Sequence, residues 1–314
     1  MVNLYKHLFI IGLLVNLSCD ITIKAMESPI GSNVDPQELL DTEETIHFTN
    51  SINLRHAIAD FSNDAWDRDS LCDHTILIMG IPENVVDYDD TPYNNDEDNE
   101  PRLPRHGKIL YLKDLQALFI TVPGTPHERA SSMFARLVDR KIEAMNCEDE
   151  FCPVGRARME MGSVKKEPDA SWTPDGKNYT TLAVEAGVSE SERALAPDAK
   201  IWLESKESHV TQLVVIKVSR TRAEIRFSVW KAIPREGDTR AEYTRKATEV
   251  QRVDVTLAQE RPVTNGRISL SFKELLERNP RLGTAEKDLE LSARELGGVA
   301  RKVWEDMGFV LPHR

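Results

Sequence analysis

Two acidic residues, Asp169 in Pro168-Asp169 and Glu185 at the end of Thr180-Thr181-Leu182-Ala183-Val184-Glu185, have the types and spacing to share one reaction centre. An Asp and a Glu delivered by neighbouring strands can converge on a single divalent cation. Hard ions such as Mg²⁺ take carboxylate oxygens and keep waters that a substrate can displace. An ion held there activates water and neutralises charge on a phosphodiester. A third group is needed to orient the water or stabilise the charge that develops on the phosphate. Lys200 is a candidate for that group. His127 and Glu128 sit at a helix start, where either can orient metal-bound water from outside the ligand shell.

These residues require strands and helices in a definite order. Thr125-Pro126-His127-Glu128 reads as a helix start, with Thr125 as cap, Pro126 in the first turn and Glu128 completing a capping box. Ala130, Met133, Phe134, Leu137, Val138, Ile142 and Met145 follow at helical spacing. Three strands are then predicted, over 155–161, 165–172 and 180–186, with turns at Gly162-Ser163 and Asp175-Gly176. In the third, Leu182 and Val184 share one face and Ala183 and Glu185 the other. Residues 189–205 read as a helix that Pro197 pushes to a later start. Thr211 to Val218 is nearly continuous apolar, as a central strand should be, and Glu224 to Trp230 alternates like an antiparallel neighbour. A strand over 249–257, a capped helix from Ser271 and a helical segment over 284–307, interrupted at Gly297-Gly298, complete the C-terminal part.

The order helix, three strands, helix, two strands, with Pro168-Asp169 and Glu185 so placed, resembles the core of the PD-(D/E)XK superfamily of restriction-endonuclease-like nucleases. The strings Lys166-Glu167-Pro168-Asp169-Ala170-Ser171-Trp172, Val184-Glu185-Ala186-Gly187-Val188-Ser189-Glu190-Ser191 and Asp198-Ala199-Lys200-Ile201-Trp202-Leu203-Glu204 resemble a group of fungal proteins in that superfamily. The resemblance covers about residues 110–235. It implies an α/β fold, a mixed central sheet flanked by helices with an αβββαββ core. It also implies Asp169 and Glu185 as metal ligands, with the main-chain carbonyl of Ala186 as a third. The cofactor implied is Mg²⁺ or Mn²⁺, the substrate DNA or RNA, and the activity phosphodiester hydrolysis. The superfamily's usual lysine falls two residues after the second acid, where this chain has Gly187. Lys200, from the following helix, is the replacement that this resemblance implies, with Arg193 second. The alternative is a catalytically inactive module that keeps the fold for binding.

Charge and composition frame both readings. The chain of 314 residues has a net charge of −12. Residues 1–100 carry 4 Lys and Arg against 20 Asp and Glu, which leaves 36 against 32 for the rest of the chain. The acidity is therefore N-terminal, and the part carrying the motif is mildly basic, as a phosphate-handling core permits. Arg156, Arg158, Lys165 and Lys166 form a basic cluster before the motif, explained equally by phosphate contact or by an exposed strand. Trp172, Trp202 and Trp230 read as packing residues.

The expected division is 1–25 as a signal peptide or apolar helix, 26–108 as an acidic, partly disordered region, 109–235 as the core and 236–314 as an extension. Within the second segment, Ile52, Leu54, Ala57, Ile58 and Phe61 suit one helix and Thr75–Met79 one strand, whereas residues 87–100 are too acidic to bury apolar area. Lys6 and His7 before Leu8–Val15 resemble a secretory leader too short for a confident membrane span. The expected location is nuclear or cytoplasmic, or secreted if that leader works, with no stable membrane insertion. Cys147 and Cys152 lack a second pair and read as ordinary thiols.

Overall fold

The computed structural model describes residues 35–87, 107–188, 195–234 and 245–310. The expectations placed on residues 1–25, on most of the acidic stretch 87–100, and on Arg193 lie outside the described residues. The chain begins with β1 (Glu44–His47), α1 (Ser51–Arg68), β2 (His74–Met79), α2 (Glu83–Asp87), β3 (Lys108–Leu112) and β4 (Ala117–Val122). It continues with α3 (Thr125–Glu143), β5 (Phe151–Pro153), β6 (Met159–Met161), β7 (Val164–Lys166), β8 (Ala170–Pro174) and β9 (Leu182–Val188). Next come α4 (Leu195–Glu204), β10 (Gln212–Val218), β11 (Glu224–Pro234), β12 (Arg245–Ala258) and β13 (Arg261–Thr264). The last elements are β14 (Ile268–Leu270), α5 (Phe272–Leu276), β15 (Leu289–Leu291) and α6 (Ala293–Asp306).

Two large sheets organise the molecule, in the orders β1-β2-β4-β3-β7-β6 and β13-β12-β11-β10-β9-β8-β5. In the second sheet β9 and β10 are parallel and α4 is the crossover between them, while β8 and β11 run antiparallel to their neighbours. Helix α3, the strands β5, β8 and β9, helix α4 and the strands β10 and β11 reproduce the predicted order inside one mixed sheet.

The strand boundaries before the motif differ from expectation. The first strand of the sheet is Phe151–Pro153, and residues 159–166 form a hairpin that joins the other sheet. The single strand predicted over 165–172 is broken by Glu167-Pro168-Asp169, where the chain crosses from one sheet to the other. Proline has no N–H for a ladder, so it suits a crossover better than a strand interior.

The layers follow from side-chain periodicity. Leu54, Ile58, Phe61 and Ala65 fall on one stripe of α1 and cover Ile76, Ile78, Ile109 and Tyr111 of the six-stranded sheet. The opposite face of that sheet, through Leu77, Leu110, Leu112, Phe119 and Val164, meets Ala199, Trp202 and Leu203 of α4 and Ala183, Leu213 and Val215 of the seven-stranded sheet. The far face of the seven-stranded sheet, through Leu182, Val184, Val214 and Ile216, is closed by α3 and α6. Within the segment 26–108, expected to be acidic and partly disordered, the described residues include α1 and β2, which give apolar faces to the six-stranded sheet's core.

Helix ends depart from the sequence expectation in small ways. The cap of α3 is Gly124, with no side-chain cap bond, and Thr125 is already helical. Ser271 caps α5 by position but not by a side-chain hydrogen bond. Helix α6 opens on a complete capping box between Ser292 and Glu295.

Gly297 and Gly298 do not interrupt α6. A Cβ on Gly297 would meet Pro262 Cβ at 3.1 Å, so this glycine lets β13 lie against the helix. A Cβ on Gly298 would meet nothing within 4 Å. Gly298→Ala is therefore expected to stabilise the protein by about 0.5–1 kcal/mol through helix propensity. Gly297→Ala should give no such gain, and denaturant unfolding of the two variants separates the cases. No helix among the described residues is long and apolar enough to cross a membrane.

Candidate functional site

Strand alternation brings the charged residues together. Lys108 opens β3 on the same face as Leu110 and Leu112, and Lys166 ends β7 on the face of Val164. Glu185 shares the face of Ala183 on β9. All of these point into the space between the two sheets, and Asp169 enters it from the crossover just before β8.

Lys108 Nζ donates to Asp169 Oδ2 at 3.0 Å and also to Glu185 Oε2. One cationic atom thus bridges the two carboxylates. The backbone N–H of Ala186 donates to Asp169 Oδ2 at 2.7 Å. Glu185 Oε1 accepts from Trp202 Nε1 and lies 3.3 Å from Lys166 Nζ. Lys166 Nζ donates in turn to Asp198 Oδ1, on α4, at 2.8 Å.

On the far side of Asp169, His127 Nε2 lies 3.0 Å from Oδ1, off the line of a hydrogen bond. His127 Nδ1 lies 3.0 Å from Asp73 Oδ2. Asp73 precedes β2 and accepts from the N–H groups of Gly124, at the start of α3, and of Val188, at the end of β9. That carboxylate sits where the helix N-terminus favours negative charge. A cavity of about 140 Å³ opens on the cluster. Lys108, His127, Lys166, Asp73 and Asp198 line it together with Ala186, Gly187 and Val188. The side chains of Asp169 and Glu185 lie behind that wall and are essentially solvent-free.

Burial opposes charge on every one of these groups, and partners decide the outcome. Burial pushes the Asp169 carboxyl up, but the His127 imidazolium and the Lys108 ammonium hold it well below the usual carboxylate range. For His127, burial pulls the pKa down, and the carboxylates of Asp169 and Asp73 outweigh it and raise it to about 10. Lys108 is raised by Asp169 and Glu185 against the same penalty, and Lys166 by Asp198 and Glu185. Burial raises the Glu185 carboxyl, with Lys108 and Lys166 pulling the other way.

The residues picked from sequence divide sharply. Asp169 and Glu185 are brought to one cation, and the Ala186 N–H is bonded to Asp169. Lys200 is exposed on α4, and no hydrogen bond or ion pair joins it to either acid. On the same helix, it is Asp198 and Trp202 that face the site. Glu128 turns away to pair with Arg156, while its neighbour His127 is buried against Asp169. Lys165 and Lys166 are buried rather than exposed: Lys165 pairs with Glu83 at 3.1 Å, and Lys166 reaches the site.

Lys108, Asp73 and Asp198 were not singled out from sequence. A lysine leading the apolar run Ile109-Leu110-Tyr111-Leu112, in register with its inward positions, was the available signal for Lys108. Of the three tryptophans, Trp172 and Trp202 are buried and Trp230 is partly buried, as expected of packing residues. Trp202 also gives its N–H to Glu185.

Cys147 is buried, and Cys152 contacts the Glu148 carbonyl. Cys147 is grouped with Glu150 and Glu286, but Arg278 neutralises both acids at 2.7 and 2.8 Å, so this cluster reads as a structural ion network.

No family model matches the chain, and no curated protein matches it. Among solved structures it is similar to a crystal structure from Anabaena variabilis, described as "a putative nuclease belonging to DUF820". The TM-score is 0.33 and the identity 10%, over 61% of this chain and 90% of that chain. At that level of similarity nothing about function follows from the likeness.

Proposed function

We propose that this chain is a metal-dependent hydrolase of phosphodiester bonds in nucleic acid, with Asp169 and Glu185 as the carboxylates that hold the ion. The observation behind this reading is the convergence of the two acids on one cationic atom, Lys108 Nζ, behind a cavity whose wall holds Lys108, Lys166 and His127. The donor set fits Mg²⁺ or Mn²⁺, because it consists of hard carboxylate oxygens. Ala186, by its carbonyl, is the third ligand proposed. When bound, the ion supplies Lewis acidity and a more acidic water. Lys166, anchored by Asp198, presents a fixed positive charge to a phosphate entering the cavity. His127, clamped between Asp73 and Asp169, fixes the orientation of the Asp169 carboxylate.

Cleavage assays with single- and double-stranded DNA and RNA, in Mg²⁺ and Mn²⁺, test the proposal. Activity is expected in at least one combination. Asp169→Asn or Glu185→Gln should each lower it by about a thousandfold or more. Wild-type protein that neither cleaves any of these substrates nor binds either ion overturns the proposal.

The bridge made by Lys108 favours a second reading, a binding module in which the ammonium has replaced the metal for good. In that case the wild type binds nucleic acid without binding Mn²⁺, and both acid substitutions leave that binding intact.

A further inference from the structure

We propose that Lys108 and the metal ion exchange places. The ammonium rests between the two carboxylates in the metal-free protein, and metal entry drives it into the cavity, where it meets the substrate phosphate. This rests on the metal-dependent reading above and deepens it. It also supplies from the other sheet the lysine that Gly187 does not provide.

The geometry makes the two cations mutually exclusive. Lys108 Nζ is bonded to one oxygen of each acid, Asp169 Oδ2 and Glu185 Oε2. An octahedral ion at about 2.1 Å from those same oxygens occupies the volume of the ammonium. The remaining partners of the acids stay in place without Lys108. The Ala186 N–H still holds Asp169, and Trp202 with Lys166 still holds Glu185. Withdrawal of Lys108 therefore frees a lone pair on Asp169 Oδ2, which keeps its bond from the Ala186 N–H, and frees Glu185 Oε2, and it leaves the acids oriented.

The ammonium has a destination. Lys108 already lines the cavity, as do the Thr75 and Thr121 side chains, and its four-carbon stem is flexible. Lys166 is less free to move, because Asp198 anchors it at 2.8 Å. An anion in the cavity gives the displaced ammonium a partner, so metal and phosphate should bind with positive coupling.

Mn²⁺ titration calorimetry on the full chain, without nucleic acid, tests the exchange. Lys108→Met, which keeps the stem and removes the charge, is expected to bind Mn²⁺ at least about tenfold more tightly than wild type, because no ammonium competes. Glu185→Gln should lose that binding in both backgrounds. A second measurement needs no variant: amine acylation of the wild type, read by mass spectrometry. Lys108 should be protected without metal and become several-fold more reactive with Mn²⁺, while exposed Lys200 serves as the unchanged control.

Equal Mn²⁺ affinities for wild type and Lys108→Met, or Mn²⁺ binding that leaves Lys108 protected, overturns the exchange while leaving the metal-dependent reading in place. No Mn²⁺ binding by either form overturns the exchange, and joined to the absence of Mg²⁺ binding and of any cleavage it overturns the metal-dependent reading as well. Should Lys108→Met fail to fold, the acylation result on wild type decides.

Discussion

Asp169→Asn is expected to destabilise the metal-free protein by about 3–5 kcal/mol, the scale for removing one partner of a buried ion pair. Two carboxylates gathered for a metal usually repel each other when the metal is absent, and neutralising one relieves the strain. Here the sign is reversed. Asp169 is flanked by the buried His127 imidazolium and by the Lys108 ammonium, which is buried except where it borders the cavity. The amide leaves two buried cations sharing Glu185 and Asp73. Urea unfolding of Asp169→Asn at neutral pH, with chelator present, measures the effect. A companion double variant, Asp169→Asn with His127→Gln, should lose less than the sum of the two single changes, because the sites are in contact. A stabilised Asp169→Asn protein would mean that the carboxylates are not compensated as the structure has them.

The second large effect is on pH. His127 titrates near 6.5 when unfolded and at about 10 when folded. Its pKa is raised by folding, so its contribution is fully present below about pH 6.5 and is lost as the pH rises towards 10. Across that window the unfolded chain binds fewer protons than the native one, and stability falls by up to about 1.4 kcal/mol per pH unit from this group. His127→Gln should remove that slope, leaving a flatter profile between pH 7 and 10. Paired thermal or urea unfolding series for wild type and variant give the difference directly. Parallel profiles would show that the imidazole is neutral in the native protein.

Much of the fold is legible in the sequence where the signal is local. The stripe from Ala130 to Ile142 announces α3, and the apolar run over 212–218 announces the central strand β10. The face assignment of Glu185 follows from simple alternation and holds, since Leu182 and Val184 lie in one core cluster and Ala183 in the other. What the sequence conceals is long-range. Whether Lys165-Lys166 lies on a surface or in a core depends on a second sheet formed largely by residues far upstream, and no periodicity within the hairpin reports it. Likewise Lys200 and Asp198 lie on one helix, two residues apart, and only the docking of α4 between the sheets decides which faces the acids. Gly187 points to the following helix as the source of a lysine, whereas Lys108 arrives from β3, earlier in the chain than the motif itself.

The crossover at Pro168 gives the molecule a checkpoint. Glu185 belongs to one sheet, Lys108 and Lys166 to the other, Asp169 sits on the crossover between them, and Asp73 ties the start of β2 to the end of β9. The closures Lys108–Asp169, Lys108–Glu185 and Asp73–Val188 span 61, 77 and 115 residues. Contacts of that sequence separation are slow to form, because loop closure must come before any gain from the contact. The charge cluster is therefore expected to close late, once both sheets have docked. A chain shortened to residues 109–235 keeps both acids and loses Lys108 and Asp73, the outer partner of His127. Such a fragment keeps His127 and Lys166 but lacks the one ammonium that bridges both acids, so the complete charge balance belongs to the finished protein rather than to the segment that bears the motif.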